Sequence, residues 1–306
     1  MARIIATDII TFYHPDFWGV AHFGEVLAWG AANPRPFWDK VLATLKGTGV
    51  TGLELTFGPG SIDNALAAYG DVAGFKAALD HAGVSIVSAF VADGPKWDQG
   101  DNLADIVADA ERRATVLSEL GGGLLVCGLP MRQTFGVQPP VFIDGPYMQR
   151  MADIAHAVGE AVSRIGIKLA IHTESNSALW YERDVDLFMG LTDPGYVWLC
   201  PDSCHIALGG GDPVRVAQRH APRIALAHWK DALAPIEGHL VIDATIYDQQ
   251  QRYMADFGKG IVDWAAWSAA MNQTPGRDIA LIELDVAADP VAALRDGVAV
   301  VARHQD

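Results

Sequence analysis

Four short segments of this chain carry residues whose types and spacing could do chemistry together: His172-Thr-Glu174, Asp202-Ser-Cys-His205, His228-Trp-Lys230 and Glu283. Each closes a short apolar run. In an extended strand, residues two apart share a face, so His172 and Glu174 point the same way, as do His228 and Lys230. Carboxylates and imidazole converging on one point suit a divalent ion. Glu174, Asp202, His228 and Glu283 are the expected ligands of one such ion. Mn²⁺ is the first choice, and Mg²⁺, Co²⁺ and Zn²⁺ also fit this donor set. An open coordination position would let a substrate carbonyl bind and would stabilise the enolate left when a neighbouring proton is removed. His172 is the expected base. It lies two residues before Glu174 on the same face, so it could instead replace that residue as ligand.

Further residues have weaker claims. Lys230 either contacts substrate or pairs with Asp231 at the surface. Glu54, closing the second apolar run, either binds a substrate hydroxyl or braces the mouth. His14 is a possible substrate contact, and Trp180 could stack on the apolar face of a sugar. His205 either caps a helix or meets substrate. Trp38, Trp264 and Trp267 read as helix packing.

Eight strand-like runs position these residues. They are IIATDIITF from Ile4, GLELTF from Gly52, VSIVSAFV from Val84, GLLVCGL from Gly123, KLAIHTE from Lys168, VWLCPD from Val197, IALAHWK from Ile224 and IALIELD from Ile279. Their cores are continuously apolar, as strands buried on both faces should be. Amphipathic segments alternate with them: one starts with Asp212 as a plausible N-cap and Pro213 at the first helical position, another opens with Asp263, and the last, from Asp289, would close the fold. Strict alternation selects an α/β fold, a single-domain (β/α)8 TIM barrel spanning residues 1–306. The active face would lie at the C-terminal ends of the strands. An aromatic-rich insertion, roughly 13–36, and long loops after strands four and seven would build it.

Bulk composition narrows the partners. The chain has 306 residues with 37 Asp plus Glu against 22 Lys plus Arg, a formal charge of −15. Such a surface repels phosphate backbones, which excludes nucleic acid and leaves small neutral substrates such as sugars. No apolar run reaches the ~20 residues of a membrane span, and no leader precedes the first apolar run. Cys127, Cys200 and Cys204, odd in number and without a CxxC pair, are expected as buried thiols in a reducing, cytoplasmic setting.

From about Lys40 onward the chain resembles the xylose-isomerase-like barrel superfamily of sugar isomerases, ketose 3-epimerases and inosose dehydratases. The most specific stretch is VWLCPDSCHIALGGGDPVRVAQRHAPRIALAHWKDA, similar to the Asp-x-x-His, Gly-Gly-Asp-Pro and His-x-Lys-Asp pattern of inosose-dehydratase-like members. FGKGIVDW resembles their later Gly-x-Gly-x-x-Asp stretch. The resemblance implies Glu174, Asp202, His228 and Glu283 as metal ligands and His205 as a substrate contact. At strand five the chain departs from the pattern: HTESN replaces a His-rich run, and Trp180 and Tyr181 stand where epimerases place a second glutamate. Glu182 is expected on the following helix. His-x-Glu here is similar to the large subunit of C-glycoside deglycosidases. That likeness implies a lyase acting on a 3-oxo-glycoside, with a smaller β subunit covering the mouth; a homo-oligomer, with the aromatic first insertion as a dimer interface or a substrate lid, is the other assembly expected. Inosose dehydration, ketose epimerisation and a non-catalytic binding or regulatory barrel are the alternatives.

Overall fold

The computed structural model describes residues 3–91, 96–100, 102–132, 143–238, 240–243, 245–285 and 287–304. Eight parallel strands form the sheet: β1 Ile4–Asp8, β2 Gly52–Leu55, β3 Ser85–Val91, β4 Leu124–Gly128, β5 Lys168–His172, β6 Val197–Cys200, β7 His228–Trp229 and β8 Ile279–Ile282. Their spatial order is β6-β5-β4-β3-β2-β1-β8-β7. Two isolated parallel bridges, Leu199 with Ile224 and Asp202 with His228, close β6 onto β7. The (β/α)8 TIM barrel is therefore the fold.

Thirteen helices accompany the strands among the described residues: α1 Pro15–Trp18, α2 Phe23–Ala32, α3 Pro34–Leu45, α4 Ile62–Tyr69, α5 Val72–Ala82, α6 Leu103–Glu119, α7 Gly145–Ser163, α8 Glu182–Leu191, α9 Ser203–Leu208, α10 Pro213–His220, α11 Ile246–Gln251, α12 Trp264–Met271 and α13 Pro290–Arg303. The local chemistry sets their ends. Asp212, Asp263 and Asp289 each accept a first-turn N–H, and Pro213 and Pro290 occupy the first helical position, where no N–H is needed. Gly83 ends α5 at φ 72°, a left-handed turn open to glycine at little cost.

Strand alternation divides the core in two. Ala6, Val87, Leu124, Val126, Ala170, Cys200, Leu226 and Leu281 pack together. Their sequence neighbours, such as Ile5, Leu125, Leu169 and Leu199, pack with the helices in the larger outer cluster. The first set fills the barrel, as layered side chains do in this fold. Gly52 keeps that interior tight, because a Cβ there would lie 2.9 Å from the Cβ of Ala6.

Two expectations need correction. The insertion at 13–36 is largely helical, holding α1, α2 and the start of α3. Its aromatic rings pack on one another: Trp18 stacks on Phe37 at 4.8 Å and lies 5.0 Å from Trp29. The seventh strand is shorter than IALAHWK, since only His228 and Trp229 form its ladder, with β8. Residues 133–142, in the loop after β4, lie outside the described residues. Trp38, Trp264 and Trp267 are buried helix residues, and the three cysteines are buried. Among the described residues no helix is long and apolar enough to cross a membrane.

Candidate metal and proton-transfer centre

The barrel interior predicts where the polar residues must point. Ala170, Cys200, Leu226 and Leu281 face inward. Two residues later along the same four segments come His172, Asp202, His228 and Glu283, which continue the inward face at the C-terminal mouth. One ligand atom from each of these four lies within 4.8 Å of the others, and all four residues are buried. The rings of His172 and His228 approach to 4.6 Å between centroids. The same offset carries Ala6 to Asp8 and Gly52 to Glu54, which are register partners on β1 and β2.

Ring and carboxylate atoms crowd together here without facing one another as hydrogen-bond partners. His228 Nε2 is 2.8 Å from Glu54 Oε1, and His228 Nδ1 contacts Glu283. Neither nitrogen makes a hydrogen bond of acceptable geometry, and the same holds for both nitrogens of His172, both carboxylate oxygens of Glu54 and Oδ2 of Asp202. Buried polar atoms left without partners are costly, and a cluster of them calls for an explanation. Converging lone pairs in a His/Asp/His/Glu set are what a divalent ion satisfies, so these four residues could hold one.

Glu174 takes a neighbouring place. It stands beyond the end of β5 in a turn, its N–H bonded to Leu179 O at 3.1 Å and its carbonyl accepting from Ser177. Its carboxylate lies 3.5 Å from His172 Nδ1 and 3.3 Å from His205 Nε2. Its side chain is 18% exposed against 2% for His172, so of the two it is the one that reaches the open mouth. His205, in the first turn of α9, is held by Ser175 Oγ at 2.5 Å from Nδ1 and by Asp202 Oδ1, which accepts its backbone N–H at 2.8 Å. Lys230 Nζ lies 3.3 Å from His205 Nε2 and donates to Glu283 at 3.0 Å and Asp285 at 2.6 Å.

Of the two alternatives for Lys230, the surface pair with Asp231 is not formed. Lys230 points into the mouth and is buried. Asp231, next along the chain, faces the other way and is buried too. Its carboxylate accepts N–H bonds from Ala232, Gly258, Gly260 and Val262 and from the Trp264 indole. The Gly-x-Gly-x-x-Asp stretch thus wraps one carboxylate. Gly260 has no room for a side chain, since a Cβ would sit 2.2 Å from Ala232 O.

The electrostatics favour a cation. Asp8, Glu54, Glu174, Asp202, Glu283 and Asp285 surround a mouth whose lysine is Lys230. Burial, reinforced by Glu54 and Glu283, pushes Asp8 well above the usual carboxylate range. Burial likewise raises Glu174 and takes Asp285 to about 7. Burial opposes the charge on Lys230, but Asp285 and Glu283 outweigh it and keep the ammonium protonated. Burial, then Lys230, lowers His205 to about 3, leaving its ring neutral.

The remaining expected contacts sit farther from the centre. His14 caps α1, its Nδ1 accepting from Asp16 N at 3.2 Å. Trp180 is buried and stacked on Tyr181, its indole N–H donating to His205 O at 2.9 Å. It props the start of α9 and offers no bare face. Glu182 does open α8. Asp8 and Asp285 escaped the sequence reading, although each lies two residues beyond an inward-facing position or a ligand and the strand period could have found them.

The model of the family described as "Xylose isomerase-like TIM barrel" matches residues 42–304. An inosose dehydratase of Bacillus licheniformis is 33% identical over 108 residues, which cover 33% of this chain and 36% of that protein. The rhizopine catabolism protein MocC of Rhizobium meliloti is 30% identical over 171 residues, covering 52% of this chain and 49% of its own. The chain thus spans about a third to a half of the length of these curated relatives. A xylose isomerase-like TIM barrel protein of Mycobacterium smegmatis, solved in complex with magnesium, superposes with a TM-score of 0.70 at 16% identity, covering 99% of this chain and 98% of that one.

Proposed function

The chain belongs to the xylose isomerase-like TIM barrel family, and on that premise we propose that it is a divalent-metal-dependent lyase acting on a cyclic keto-polyol or keto-sugar. The observation that carries this reading is the convergence of His172, Asp202, His228 and Glu283, with buried unpartnered atoms, beside the Glu174–His205–Lys230 group. His172, Asp202, His228 and Glu283 are the ligands in this proposal. These residues would hold the ion, with Mn²⁺ or Mg²⁺ as the first choices, and when bound it would supply positive charge toward a substrate carbonyl oxygen.

The other side chains handle the proton and the substrate. Glu174 faces the open mouth and takes the proton alpha to the keto group, which exchanges the roles first expected of it and His172. The C–H electron pair moves into the enolate. The substituent on the next carbon then departs with its bonding pair and receives a proton, so water or an aglycone alcohol is released. Glu174, now protonated, can return that proton if the two bonds lie on one face of the ring. Neutral His205 orients the Glu174 carboxyl, and Lys230 offers a fixed ammonium to a substrate oxygen. Similarity to an inosose dehydratase favours water as leaving group on a keto-inositol ring. Elimination of an aglycone from a 3-oxo-glycoside is the same chemistry with another leaving group.

The test uses ion-loaded protein in D₂O with 2-keto-myo-inositol and, separately, a 3-oxo-glycoside, followed by NMR. Loss of water or aglycone is expected. Glu174→Gln should keep the ion, measured by elemental analysis, and stop proton exchange, whereas His172→Ala should lose the ion. The converse pattern would restore the first assignment of the two residues. Deuterium entering a free ketose with no leaving group released would replace the lyase by an epimerase.

A further inference from the structure

The segment between β7 and β8 carries α11, whose Ile246 and Gln250 are buried. Gln250 Oε1 accepts a hydrogen bond from Asn176 Nδ2 at 3.1 Å. Asn176 is the one non-glycine residue among those described with positive φ, 63°. Its carbonyl accepts from Arg132 N at 2.8 Å, and it lies within the turn in which Ser177 N–H and Oγ both bond to Glu174 O. The amide pair is therefore a latch that fastens α11 to the turn presenting Glu174.

Tyr247 precedes Gln250 by three residues, a spacing that places both on one face of a helix. With Gln250 fixed against the Glu174 turn, the stretch of α11 that carries Tyr247 is held beside the mouth. Glu174, Asp285 and Lys230 are the charged groups that act on the Tyr247 hydroxyl; crowding around that hydroxyl end, then the two carboxylates, pushes it up to about 12, so it remains a donor even though most of the residue's surface is open. Yet Tyr247 is 61% exposed, whereas Trp180, the aromatic first expected to stack on a sugar, is only 7% exposed. An aromatic ring on a latched helix, near the reactive charges and uncovered by the chain itself, has an apolar face and a polar tip to offer a ligand.

We infer that Tyr247 is a specificity-determining residue whose ring covers the C–H face of a cyclic polyol or sugar while its hydroxyl bonds a ring substituent. This rests on the keto-polyol reading above. Calorimetric titration of the ion-loaded protein with myo-inositol, an unreactive ring polyol, and with hydroxyacetone, a three-carbon ketol with no ring face for an aromatic side chain to cover, tests it. Tyr247→Ala should weaken myo-inositol binding about tenfold and Tyr247→Phe roughly threefold, with hydroxyacetone unaffected by either. Because the side chain is exposed, the melting temperature of both variants should match the wild type. Unchanged myo-inositol binding in Tyr247→Ala, or none in the wild type, overturns the assignment. If Tyr247-dependent binding is present but neither water nor aglycone is eliminated, the lyase reading fails and Tyr247 stands. If elimination proceeds and Tyr247→Ala leaves both KM and kcat unchanged, the reverse holds.

Discussion

Strands β1–β4 and β5–β8 are built alike but end differently. At the ends of β1 and β2 the polar residues at the mouth are Asp8 and Glu54, and the neighbouring first insertion packs its rings Tyr13, Phe17, Trp18 and Trp29 together with Phe37 and Phe57, each ring contact within 6.1 Å. At β5–β8 the mouth carries His172, Glu174, Asp202, His205, His228, Lys230 and Glu283. Several of their buried atoms lack hydrogen bonds. One side of the barrel therefore gains stability by packing, while the other gives some up to hold reactive groups ready for a ligand.

That contrast can be broken first on its packed side. Trp38 is fully buried between Phe37 and Phe75. Trp38→Ala should cost about 3–5 kcal/mol of stability in denaturant titration while turnover per folded molecule stays near wild type. A selective loss of turnover would show that the two sides are not separable. On the polar side, a divalent ion at 100 times its dissociation constant should add about 2.7 kcal/mol of stability, read as a rise in melting temperature that a chelator reverses. No shift with Mn²⁺, Mg²⁺, Co²⁺ or Zn²⁺ would remove the metal centre. Glu54 joins the two sides through His228, and Glu54→Gln should weaken the ion roughly 10–100-fold without unfolding the barrel. Unaltered affinity would make Glu54 a bystander.

The smallest expected effect lies on the outer surface. Arg215 holds the Glu182 carboxyl below its usual range, and Arg219 does the same for Asp186 after burial is overcome. A depressed carboxylate stabilises the fold above its unfolded-state pKa, and that contribution disappears as pH falls through the folded-state value. Wild type and Glu182→Gln should differ slightly in melting temperature at neutral pH and converge in acid. A gap that widens in acid would contradict the sign.

Much of this was legible in the sequence because it follows from short periods. Continuous apolar runs gave the eight strands, and the two-residue period put His228 with Lys230. The cap at Asp212 is local and was legible in the same way. What stayed hidden depends on where a strand stops. Beyond His172 the chain leaves the ladder and turns, so strand alternation no longer relates Glu174 to it. The buried role of Asp231 depends on a loop arriving from 27 to 33 residues later. The helices of the first insertion are held by aromatic contacts that no single local pattern announces.

Barrel closure carries one more consequence. Seven joints between neighbouring strands are ladders, but β6 meets β7 only through the bridges Leu199–Ile224 and Asp202–His228. A hoop under strain parts where the fewest bonds cross it. The second of those bridges joins two of the four converging residues, so whatever grips Asp202 and His228 together also buckles the hoop. The chemistry at the mouth and the mechanical integrity of the cylinder share one fastening.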